Sequence, residues 1–67
     1  MTINELDRWR AAQQLINAHG ELAEYQAGVR AADFLEGGDR AGFDLWQDIA
    51  KKIQHLQQRR APDIPLN

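Results

Sequence analysis

Apolar residues recur every three or four positions along most of this chain, and the rhythm is interrupted at Gly20 and again at Gly37-Gly38-Asp39. A period near 3.6 gathers such residues onto one stripe of a helix, whereas a half-buried strand needs strict alternation, which no segment here provides. The sequence therefore predicts an all-α fold, with helices over about 4–18, 21–36 and 40–60 in a single domain spanning 1–60. Pro62 and Pro65 end regular structure, and 61–67 is expected to be a flexible tail. Turns this short fold consecutive helices back on one another, giving a three-helix hairpin or bundle.

Local signals mark each helix. Thr2 with Glu5 has the spacing of a capping box, and Asn4 competes as the first N-cap. Leu6, Trp9, Ala12, Leu15 and Ile16 make the first stripe. His19-Gly20 closes that helix, with the glycine free to take a left-handed conformation and the imidazole able to meet the last carbonyls. In the second helix Leu22, Tyr25, Val29 and Ala32 form the expected buried stripe, widened by Ala27, Ala31, Phe34 and Leu35. Gly28 in mid-helix costs about 0.5–1 kcal/mol relative to alanine, which close packing at that point would offset. Asp39 is a good N-cap for the third helix, whose stripe runs through Leu45 or Trp46, Ile49, Ile53 and Leu56. Asp48 and Lys52 stand four apart in the favourable order, and acids precede bases along this helix as its dipole prefers.

At 67 residues without a cysteine, the chain has neither disulfides nor thiolate metal sites to compensate for a small core. With 43% hydrophobic and 27% charged residues it is still a globular sequence. Tight helix packing or self-association must supply the missing stability. A net charge of −2 gives no general attraction to nucleic acid or anionic lipid. No apolar run is long enough to span a bilayer, and the acidic start lacks the pattern of a secretory signal, so a cytoplasmic protein without membrane contact is expected.

Few residues point to chemistry. His19 and His55 are the two histidines, and neither has a ligand neighbour at helical spacing, so no metal or other cofactor is expected. Glu21, Glu24, Asp33 and Glu36 share the second helix, but paired carboxylates need burial to separate their pKa values. No nucleophile, phosphate-loop or dinucleotide motif is present, and the chain reads as non-enzymatic, with no catalytic residue. A cleft between two copies, with His19 beside Glu21, is the weakest alternative. Lys51, Lys52, Arg59 and Arg60 at the end of the third helix are the candidate contacts of a small nucleic-acid-associated regulator. Against that, a recognition helix meets the groove with its N-terminal residues, and here those include Asp39, Asp44 and Asp48.

The aromatic residues say more. Trp9, Tyr25, Phe34, Phe43 and Trp46 exceed what one thin helical layer readily covers. Trp9, Tyr25, Phe43 and Trp46 are thus the candidate interaction surface, with Arg30 as a partner for an acid across it. The expected function is a small protein–protein interaction module, an adaptor or regulatory subunit, that forms a homodimer through helical faces and also meets a larger protein.

The order of landmarks resembles a family of short bacterial helical proteins, largely alphaproteobacterial, that has no assigned activity. The resemblance rests on Ala12-Gln13-Gln14-Leu15-Ile16, His19-Gly20, Arg30-Ala31, Leu35, Gly38-Asp39, Gly42, Trp46 and Ile49, in the pattern A-Q-x-L-I-x-x-H-G, R-A-x-x-x-L-x-x-G-D and G-x-x-x-W-x-x-I. Ala32 stands where the family often has aspartate, and Phe34 where it often has leucine. The resemblance implies a scaffold of caps and packing positions. Arg30, Gly42 and the two glutamines are the landmarks that helix packing alone leaves without a reason.

Overall fold

The structure, a computed structural model, describes residues 4–60; Thr2, with its capping box, and the Pro-containing 61–67 segment lie outside the described residues. Three α-helices follow one another, α1 over Glu5–His19, α2 over Ala23–Glu36 and α3 over Arg40–Arg60, and each packs on the other two. The described residues are almost wholly helical and contain no strand.

Side chains and glycines set the boundaries. Asn4 Oδ1 accepts from the Asp7 backbone N–H at 2.8 Å, satisfying one of the orphan donors at the start of α1. Gly20, at φ +59°, ends α1 and leads into a single 3-10 turn, Gly20–Leu22, before α2 begins. The second helix is thus shorter at its start than the sequence predicts. Its end is a Schellman closure. Gly38 sits at φ +83°, its N–H donates to Leu35 O at 3.0 Å, and the Asp39 N–H donates to Phe34 O at 2.8 Å. Asp39 then turns its side chain to α3, where Oδ1 accepts from the Gly42 N–H at 2.9 Å. One short segment therefore closes one helix and caps the next.

The core is small and built largely of alanine. Ala12, Leu15 and Ile16 come from α1, Ala23, Ala27 and Ala31 from α2, and Ile49 and Ile53 from α3. Ala11, Leu45, Trp46, Ala50 and Leu56 pack around them, half-buried. The stripe expected for α3 is observed. The stripe expected for α2 is not, because Leu22, Tyr25 and Val29 stand outside while the alanines spaced four apart face inward. Small side chains let the backbone of α2 approach α3 closely, so the isoleucines fill the space that larger residues on α2 would have claimed.

Gly42 has a specific reason. A Cβ added there would lie 2.5 Å from Phe34 Cδ1, so the Phe34 ring at the end of α2 rests on the bare backbone of α3. Gly28 meets nothing within 4 Å of a Cβ built on it, so no packing inside this chain offsets its cost.

Candidate interaction surface

The aromatic residues singled out in the sequence go to different places. Trp9, Phe43 and Trp46 are each half-buried, and each lies under a cation of its own chain. Lys52 Nζ stands 4.9 Å from the Trp9 ring, the Arg30 guanidinium 5.2 Å from Trp46, and the Arg40 guanidinium 5.8 Å from Phe43. These are cation–π distances, and each pairing covers an aromatic face that would otherwise be open. The Trp9 ring also meets His55 edge-on at 5.8 Å. Arg30 therefore has a partner within the chain, the indole of Trp46. Tyr25 differs from these three: it is 66% exposed.

Lys52, expected from the sequence as a nucleic-acid contact, is instead 7% exposed and the one buried charged residue among those described. Its Nζ lies 2.9 Å from Asp48 Oδ2 and 2.9 Å from Glu5 Oε2, and Asp48 Oδ2 also accepts from Arg8 Nη1 at 2.9 Å. The aliphatic stem reaches the core while the ammonium is held by carboxylates from two helices. The hydrogen bond from Arg8 keeps the Asp48 carboxyl below its ordinary pKa, outweighing the burial that would raise it. For Lys52, burial works against the charge, yet its bonds to Glu5 and Asp48 prevail and hold its pKa above the ordinary value. Arg8, Glu5, Asp48 and Lys52 form a clamp between α1 and α3, and a phosphate would have to break it to use Lys52. Lys51 is exposed, whereas the side chains of Arg59 and Arg60 lie outside the described residues.

His19 is exposed, and the turn after α1 receives its hydrogen bond from elsewhere: Gln57 Nε2 donates to Gly20 O at 2.9 Å. Gln13 bonds Asn17 one turn on at 3.1 Å, while Gln14 faces solvent. Among the described residues, no group of three or more histidine, aspartate or glutamate side chains converges as a metal site would require. Among the described residues, no helix is long and apolar enough to cross a membrane.

Among the large apolar residues that remain exposed, Leu6, Phe34 and Leu35 lie elsewhere, while Leu22 at 59%, in the turn that leads into α2, lines up with Tyr25 and with Val29 at 38% on the side opposite the buried alanines. Gly28 and Ala32, both exposed, sit among them. Tyr25, Val29 and Ala32 are spaced by four and three, so they share one helical face. The patch amounts to on the order of 300 Å² of apolar surface, at the lower end of the range of the largest patches on small monomers, which are often functional. Apolar periodicity alone points Leu22, Tyr25 and Val29 inward, whereas they face out. The signal that separates the two faces is the Ala23, Ala27, Ala31 repeat, which matches the Ile49, Ile53 spacing on α3. No protein-family model, curated protein or solved structure matches this chain.

Proposed function

We propose that the chain is a three-helix bundle serving as a non-enzymatic protein–protein interaction module, with the outer face of α2 as its contact surface. One observation carries the reading. Leu22, Tyr25 and Val29 lie along one side of a helix that already buries its opposite face, and all three are exposed in the chain by itself. Water-facing rows of this kind are costly to keep in a small soluble domain unless a second surface covers them. The half-buried aromatics under Lys52, Arg30 and Arg40 support the same reading by elimination, since they are already covered.

A photo-crosslinking amino acid placed at Val29, and in a control at exposed Gln14 of α1, tests this in the cells that make the protein. The expected result is a discrete adduct from position 29 and none from position 14. An adduct of twice the chain's mass would assign the face to a homodimer. Equal labelling from both positions, or none from 29, would overturn the proposal.

A further inference from the structure

The outer face of α2 carries a charge pattern as well as an apolar one, and the pattern restricts what can cover it. Glu24 and Asp33 flank the row on its two sides, Glu36 ends it, and Glu21 precedes it in the 3-10 turn; all four are exposed. Arg30 is the one basic residue between Gly20 and Glu36, and it stands over Trp46 on α3. A second α2 laid against the first, parallel or antiparallel, sets carboxylates against carboxylates, with Arg30 alone on each copy to answer them. Elsewhere among the described side chains, exposed Lys51 stands on α3 and not on this face. Arg8, Arg10, Arg40 and Lys52 each already face a carboxylate of their own chain.

We propose that this face takes a basic amphipathic helix of another protein, with apolar residues on one side and lysines or arginines beside them. The inference rests on the interaction-module reading and adds the chemistry of the partner. Three features favour a helix as the occupant. The row runs from Leu22 to Ala32, a span of about 15 Å that roughly three turns of a partner helix would match. Gly28 and Ala32, four apart, leave a notch in mid-face into which a ridge of side chains fits. The open rim groups are side-chain carboxylates, which select a cationic side chain over an extended strand's backbone amides. The same acids repel an anionic membrane and a nucleic acid, the other surfaces that amphipathic helices meet.

Two synthetic peptides of about four turns test the assignment, sharing one leucine stripe but carrying lysine or glutamate at every other position. Each is titrated into the isotopically labelled full chain, and amide shifts report where it binds. The lysine peptide is expected to bind, with shifts gathered on α2, and to weaken at least about tenfold between roughly 50 and 300 mM salt. The glutamate peptide is expected not to bind. In the double variant Glu24→Lys with Asp33→Lys, both positions being solvent-exposed, the preference for the lysine peptide should be lost, with circular dichroism confirming the fold. In the unaltered chain, equal binding of the two peptides, binding of neither, shifts away from α2, or concentration-dependent pairing of the chain with itself would overturn the proposal. A position-29 adduct alongside failure of the lysine peptide would reject the basic partner alone, whereas loss of both would reject the interaction surface itself.

Discussion

Replacing Asp48 with asparagine probes the clamp between α1 and α3. Asp48 Oδ2 accepts from Arg8 Nη1 and from Lys52 Nζ, each at 2.9 Å, with 31% of its own side chain exposed and 8% of the lysine's. An asparagine keeps the shape and one acceptor but removes the charge. Hydrogen bonds to charged groups contribute about 1.5–3 kcal/mol each and neutral ones about 0.5–1.5, so two downgraded bonds cost about 2 kcal/mol. Partial exposure of Asp48 lowers this toward about 1.5 kcal/mol, while leaving Lys52 buried with the exposed Glu5 as its remaining carboxylate works the other way. For a chain of this size, whose whole stability is about 3–10 kcal/mol, that is a fall in Tm of about 10 °C. Urea unfolding followed by tryptophan fluorescence measures it directly.

The pH dependence gives the prediction its sign. The folded-state pKa of Asp48 lies below its unfolded value, so its contribution is complete above about pH 4 to 5 and is lost as pH falls through the folded value. The gap between wild type and Asp48→Asn should therefore be widest near neutrality and narrow under acid. A gap below about 0.5 kcal/mol at pH 7, or one that stays constant into acid, would refute the clamp.

Gly42→Ala should destabilise the chain by about 1 kcal/mol because its Cβ meets the Phe34 ring; in a Phe34→Ala background it should instead stabilise by up to about 1 kcal/mol, a change of sign that a double-mutant cycle reads. Gly28→Ala, with open space around the new methyl, should raise stability by about 0.5–1 kcal/mol in thermal unfolding, and any loss would mean that a close contact exists there. Asn4→Ala should cost about 1 kcal/mol through loss of the cap on Asp7 N–H, with amide exchange rising at the first turn of α1 and not in α3.

Much of this fold was legible because its signals are local. Gly20, Gly37-Gly38 and Asp39 define the turns by backbone conformation and by a side chain that reaches three residues ahead. The Ile49 and Ile53 stripe of α3 was legible because no competing face of that helix is as apolar. Helix α2 misled because apolar periodicity weighs Leu22, Tyr25 and Val29 above alanine, whereas the space beside α3 admits alanine. Both faces of α2 are apolar, so periodicity by itself cannot choose between them; the choice depends on interhelical distance. The same gap hid the role of Lys52. Its spacing from Asp48 revealed one ion pair, but its burial depends on Glu5 and Trp9, which only the packing of α1 brings alongside. Arg30 and Gly42 became explicable once Trp46 and Phe34 were seen to lie on them.

Both functional proposals require that α2 turn its alanines inward and Val29 outward. The unfolding free energy of Val29→Lys relative to wild type tests that orientation most directly. A change within about 0.5 kcal/mol is expected, since an exposed helical site accepts lysine readily. A loss of about 2 kcal/mol or more would place Val29 in the core and leave the chain without a free apolar face.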